Sequence, residues 1–370
     1  MKINLSKNDL NKIERLIDMK YLNIEADELF QDYLQNDYLS VNEKDIENLV
    51  STQAMSKKEA LLTSLLMNKD ISPEDPEVIR MREAGIFDRI DCLNDLPYKK
   101  NPFELMLKIL DAKEGDWCLT GNYYQPYEIF LYDDVYSNPE NYFSERNSIG
   151  CFEEKVPYIV LTEKDVVWMS ITPFEINTMK APVADAFGNV VTFGLGLGYF
   201  TYMAVNNPNV EHVTVVEKDA KAIKIFENEI LPRIRLKDKI TIIKDDAFHF
   251  MKNKMRDGDF DYAFFDIYHS ADDGLESYLK MKKLERLSEK TQYRYWIESS
   301  LLSFLRRFFI TIIEESLNGM TEEDYESTST FEEKLLHDIY FLTKDEEFKT
   351  YGSVKEYLKD DHLRNLAKKL

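Results

Sequence analysis

Five residues, Gly194-Leu195-Gly196-Leu197-Gly198, constrain this chain more than any other segment. They stand between an apolar run, Val190–Phe193, and a segment of helical character, Tyr199–Val205. Glycines at the end of a strand let the backbone turn tightly and approach a ligand with no Cβ in the way. The pattern then repeats as short apolar runs alternating with amphipathic segments, which predicts a parallel α/β sheet. The expected strands are Val190–Phe193, Val213–Val216, Ile240–Ile243, Tyr262–Phe265 and Tyr293–Ile297. Between them, Ala222, Ile223, Phe226 and Ile230 form an apolar stripe on one helix that stops at Pro232. Phe248, Met251 and Met255 mark the next helix, and another is expected near 274–287.

The flanking regions have a different texture. Residues 1–110 read as mostly helical. Leu5-Ser6-Lys7-Asn8-Asp9-Leu10 has the pattern of a capping box with a hydrophobic staple. Leu10, Ile13 and Ile17 follow at helical spacing, with further amphipathic stretches at 26–39, 44–50 and 57–67. Residues 115–171 are rich in Tyr, Phe, Val and Ile and broken by turn residues. There, Tyr158–Leu161 and Val166–Ile171 predict a hairpin around Thr162–Asp165. Residues 301–317 and most of 330–370 read as helical. The expected division is a helical N-terminal domain (1–110), a β-rich region (111–182), an α/β domain (183–317) and a helical C-terminal extension (318–370).

Acids follow three of the expected strands. Glu217 ends the second, about 20 residues past the glycines, where an acid in a doubly wound sheet accepts hydrogen bonds from ribose hydroxyls. Asp219 is the better helix cap, which leaves Glu217 for a ligand. Asp245-Asp246-Ala247-Phe248 follows the third strand. A carboxylate there can accept from an adenine amine, and the backbone from Ala247 can meet the ring; one of the two aspartates also suits the helix N-cap. Asp266 follows the fourth strand, beside the switch point where such sheets bind ligands.

These residues together resemble the successive motifs of class I S-adenosylmethionine-dependent methyltransferases. Asp246-Ala247-Phe248-His249-Phe250-Met251 and the preceding hairpin are nearest the spermidine-synthase-like branch. The resemblance covers about residues 155–300. It implies a Rossmann-like methyltransferase sheet that holds S-adenosylmethionine on Gly194, Gly196, Gly198, Glu217, Asp246 and Ala247. It places Asp266 and His269 at the reacting end as catalytic candidates, with Glu175 and Tyr268 as acceptor-binding candidates. Two departures argue against polyamine synthesis. Leu197 and His269 stand where aminopropyl-transferring relatives carry aspartates. The expected activity is therefore methyl transfer to a small-molecule acceptor, such as an amine or hydroxyl. Aminopropyl transfer is the rival within the class, and a non-catalytic binding scaffold the rival outside it.

Charge narrows the partners. With 47 Lys and Arg against 68 Asp and Glu, the formal net charge is −21, the reverse of a nucleic-acid footprint. No apolar run approaches the roughly 20 residues of a membrane helix, and Met1-Lys2-Ile3-Asn4 does not begin a signal peptide. A cytoplasmic protein is expected, with no membrane partner; a homodimer is compatible with this reading. Cys92, Cys118 and Cys151 form no Cys-x-x-Cys pair, and no His/Asp cluster has metal-ligand spacing. Reduced, buried thiols and no metal are expected.

Overall fold

The computed structural model describes residues 1–35, 41–107, 112–164, 166–325 and 329–370. The expected helical stretch at 36–39, the division at 110/111 and hairpin residue Asp165 lie outside them. The strands, in chain order, are β1 (Lys2–Ile3), β2 (Ile90–Leu93), β3 (Ala112–Glu114), β4 (Trp117–Tyr124), β5 (Phe130–Asn138), β6 (Ser144–Phe152) and β7 (Val156–Glu163). They continue with β8 (Val166–Ser170), β9 (Gly188–Phe193), β10 (Val210–Glu217), β11 (Ile240–Lys244), β12 (Tyr262–Phe265), β13 (Gln292–Tyr295) and β14 (Glu347–Phe348).

The five expected strands of the α/β region pair in the order β11-β10-β9-β12-β13, all parallel. Val190, Val191 and Phe193 of β9, all of β12, and Val213, Val215 and Val216 of β10 are buried, as a sheet covered on both faces requires. The order reverses between β9 and β12. Register aligns Phe193 with Val216 and with Phe265, and Glu217 with Lys244. The residues that follow these strand ends, Gly194, Glu217, Asp245 and Asp266, therefore stand along one edge of the sheet. Neighbouring strands in a sheet are about 4.8 Å apart. The intervening helices fall at Tyr199–Val205, Ala220–Ile225, Ala247–Asn253 and Ala271–Leu284. The second runs into a wide turn at Phe226–Ile230 before Pro232 ends it.

The hairpin forms as β7 and β8, which join β3 and β4 in an antiparallel sheet. In the N-terminal region, the expected stretches at 10–17 and 26–35 are one continuous helix, Lys7–Gln35. Glu43–Gln53 and Lys57–Met67 follow as expected. Ser6 Oγ accepts from the Asp9 N–H at 3.2 Å, but the Asp9 carboxylate takes the Ser6 hydroxyl rather than its N–H.

Two short strands interrupt the helical expectation. β2 pairs in parallel with β6, beside β5, and β1 pairs in parallel with β14. Four and two residues are too few to show a period of two, and their partners are distant in sequence. The helix Glu298–Leu317 ties these parts together. Its Arg307 pairs with Asp27 of the first helix and Glu145 of β6, and its Glu314 meets Lys20 at 2.6 Å. Among the described residues no helix is long and apolar enough to cross a membrane.

Candidate functional site

A cavity of about 230 Å³ opens at the carboxyl edge of the parallel sheet. The glycine loop forms one side of it. All three glycines have left-handed φ, at +94°, +52° and +81° for Gly194, Gly196 and Gly198. They serve different ends. A Cβ on Gly194 would lie 1.8 Å from the Asp266 carbonyl oxygen, so this glycine lets β9 turn against β12. A Cβ on Gly198 would meet the Phe226 ring at 2.2 Å, so that glycine seats the following helix. On Gly196 a Cβ would meet only the flexible tip of Met169, and Gly196 itself lines the cavity.

Glu217 is locked to this loop. Its Oε2 accepts from the Leu195 N–H at 2.9 Å and its Oε1 from the Asp219 N–H at 2.7 Å. Each carboxylate oxygen keeps a further lone pair, and the residue lines the cavity. Asp219 is the helix cap, as expected: its Oδ1 accepts from the N–H groups of Lys221 and Ala222. Asp246 is exposed and caps Ala247–Asn253, accepting from the His249 N–H at 2.9 Å through Oδ1. Of the two aspartates, Asp246 is thus the one that caps the helix, and it lines the cavity as well. Asp245 is bound to Lys254 and His249, and the Lys254 hydrogen bond first, His249 after it, holds its carboxyl at about 2. Ala247 is buried on the cavity wall beside Phe248.

Asp266 stands across the cavity. Burial, and then the negative charge of Glu217, push its carboxyl up to about 7. Glu175 stands third in the helix Pro173–Thr178, its N–H held by Thr172 Oγ1 at 3.3 Å. Burial, then Asp266, pushes it well above the usual carboxylate range. The structure thus brings Glu175 near Asp266, although Glu175 is absent from the cavity wall. Among the described residues neither carboxyl has a hydrogen-bond partner. Half-buried acids with no basic partner are matched by a positively charged group. Among the described residues no metal-binding cluster of His, Cys, Asp and Glu is present.

The sign of the Asp266 shift sets a stability test. An unfolded carboxyl titrates near 3.9, so the folded chain binds this proton more tightly. Stability from Asp266 is therefore full below about pH 4 and lost as pH rises through about 7. Asp266→Asn is expected to raise the melting temperature at pH 8 and leave it nearly unchanged at pH 4, as read by thermal denaturation at both pH values.

His269 and Tyr268 line the same cavity as Asp266, and each is held by a partner of its own. The His269 side chain is 86% exposed, and its Nδ1 lies 3.1 Å from Asp273 Oδ2. The His269 and Ser270 N–H groups also donate to Asp273, which closes the N-terminus of the helix Ala271–Leu284 and turns the ring toward solvent. Tyr268 is buried and its hydroxyl donates to the Trp296 carbonyl at 2.5 Å, so only its ring is left to face a substrate.

Sequence reasoning missed Trp168 and Met169, which reach the cavity from β8. Met169 Sδ accepts the Leu197 N–H at 3.1 Å and covers the glycine loop. A second cavity, of about 240 Å³, shares His269 with the first. Phe30, Leu131, Phe174 and Phe304 give it apolar walls, and Asp133, Asp272 and Arg307 line it as well.

No family model matches the chain, and no curated protein sequence does. Solved structures show partial likeness. A spermidine synthase from Thermotoga maritima aligns at 13% identity over 41% of this chain and 59% of its own, with a TM-score of 0.29. A precorrin 8w decarboxylase from Methanobacterium thermoautotrophicum aligns at 18% identity over 41% and 74%, with a TM-score of 0.27. A conserved hypothetical protein from Streptococcus pyogenes aligns at 21% identity over 30% and 67%, with a TM-score of 0.24. The chain spans about three fifths of the length of the spermidine synthase. Likeness at these scores carries no argument about activity, which rests on the chain's own residues.

Proposed function

We propose that this chain is a Rossmann-like, S-adenosylmethionine-dependent methyltransferase acting on a small-molecule acceptor. The observation that carries the reading is Glu217, fixed by the Leu195 N–H of the glycine loop and the Asp219 N–H of its own turn, and facing the cavity beside the half-buried Asp266. The site residues fit such a donor. Glu217 accepts the ribose hydroxyls through its remaining lone pairs. Asp246 and Ala247 meet the adenine edge, and Trp168 and Phe248 flank the ring. Swinging Met169 aside frees the Leu197 N–H for the donor's carboxylate.

The donor, when bound, supplies a methyl group on a positively charged sulfur. Asp266, with Glu175 behind it, holds that positive end and offers a base when the acceptor must lose a proton. Alignment of donor and acceptor supplies most of the rate. The second cavity gives an acceptor its approach past His269 at the rim.

Asp266 gives this reading a pH dependence. A positive donor favours the ionised carboxyl, so S-adenosylmethionine affinity should rise by up to about tenfold between pH 6 and pH 8. S-adenosylhomocysteine has no sulfonium charge and should change much less. Asp266→Asn should flatten the profile. Calorimetric titration of both ligands across this range tests it; equal pH profiles for the two ligands would count against Asp266 as the cation's partner.

Aminopropyl transfer is separated by donor choice. The chain should prefer S-adenosylmethionine to its decarboxylated form, since the Leu197 N–H has a carboxylate to meet only in the former. A preference for the decarboxylated donor, read in the same calorimeter, would favour the rival. Donor binding that fails beside a stable protein complex would favour the scaffold.

A further inference from the structure

Cys92 and Cys151 are 59 positions apart in sequence, yet they face each other across two strands. They are register partners in the parallel pairing of β2 with β6, and their sulfurs stand 3.5 Å apart as free thiols. Neighbouring strands place Cα atoms about 4.8 Å apart, inside the roughly 4.4–6.8 Å window of a disulfide. Cys151 is fully buried and Cys92 half-buried, so a solvent-borne oxidant reaches Cys92 first. Lys57, Asp91 and Glu153 are the charged groups around Cys92. The hydrogen bond from the Cys151 thiol holds Cys92 below the ordinary thiol range, with a smaller contribution from Lys57. The same hydrogen bond, and then burial, pushes Cys151 up. One sulfur is poised as the nucleophile and the other as the resolving thiol.

We propose that Cys92 and Cys151 are a peroxide-reactive dithiol site that closes to a disulfide between β2 and β6. The oxidant is a hydroperoxide. The Cys92 thiolate attacks one peroxide oxygen, the O–O bond breaks, and the leaving hydroxide takes a proton to become water. Cys92 is thereby oxidised by two electrons to a sulfenic acid. The Cys151 sulfur then attacks the Cys92 sulfur. The S–S bond forms, the S–O bond breaks, and the hydroxide leaves as water with the proton from Cys151. Two thiols and one hydrogen peroxide yield one disulfide and two waters. The sulfurs close from 3.5 Å to about 2.05 Å.

Cys118, half-buried on β4, is the internal control. The full chain is treated with hydrogen peroxide, alkylated and mapped by mass spectrometry. The expected product is a monomer about 2 Da lighter before alkylation, and after it a chain with Cys92 linked to Cys151 and only Cys118 alkylated. Cys92 should be consumed at least about tenfold faster than Cys118. Cys151→Ser should stop at a sulfenic acid on Cys92, trapped by dimedone. The map of the unmutated chain stands whether or not that variant folds. Oxidation of Cys92 no faster than Cys118, or disulfides that join two chains instead, would overturn the proposal.

Discussion

Gly194→Ala is expected to lower the unfolding free energy by about 2–5 kcal/mol. Two costs add. The residue sits at φ +94°, where a side chain brings about 1–2 kcal/mol of strain. The new Cβ also falls 1.8 Å from the Asp266 carbonyl oxygen. That atom is backbone, and the Asp266 N–H is bonded to the Phe193 carbonyl at 2.9 Å, so relief requires parting β9 from β12. Overpacking of this kind costs roughly 1–3 kcal/mol. Gly196→Ala is the contrast. It meets only the Met169 tip and carries little beyond the backbone strain. Urea denaturation of the two variants reads the difference, and equal losses would show that the Asp266 contact does not decide the Gly194 effect.

Glu217→Ala is expected to weaken S-adenosylmethionine binding about 10- to 100-fold. Charge-assisted hydrogen bonds are worth roughly 1.5–3 kcal/mol, and each 1.4 kcal/mol is about tenfold. The variant also releases the Leu195 and Asp219 N–H groups, so the loop loses its clamp. Glu217→Gln keeps one acceptor oxygen but turns an amide NH₂ toward the other backbone N–H, so a loss of at least several-fold is expected. Calorimetry on both variants, with circular dichroism to confirm folding, checks the ordering. Undiminished affinity in Glu217→Ala would remove Glu217 from the site.

The parallel sheet was legible because its signals are local. Tyr262–Phe265 and Tyr199–Val205 match their elements end to end, and the glycine loop and Glu217 fall at strand ends that the apolar runs themselves mark. Asp219 as a cap was equally local. What escaped depends on contacts between distant residues. Nothing near Cys92 announces Cys151, and nothing in Ile90–Leu93 announces β6. Met169 is an ordinary hairpin residue until the fold lays β8 over the glycine loop. His269 and Tyr268 were placed correctly along the chain, yet their directions are set by Asp273 and by the Trp296 carbonyl. Those partners are four and 28 residues away, and spacing alone does not choose among the acceptors within reach. Asp246 shows a further difficulty: the carboxylate that caps the helix through Oδ1 also lines the cavity, so composition cannot separate a cap from a candidate ligand contact.

The proposed function requires S-adenosylmethionine to lie across the ends of β9, β10, β11 and β12. Amide hydrogen exchange, compared with and without saturating S-adenosylmethionine, tests it most directly. Slowed exchange is expected only at residues 194–198, 217–219, 245–248 and 266–269, with Lys7–Gln35 and Glu43–Gln53 unchanged. Protection elsewhere with these four segments unaffected, or no protection at any ligand concentration, would contradict it.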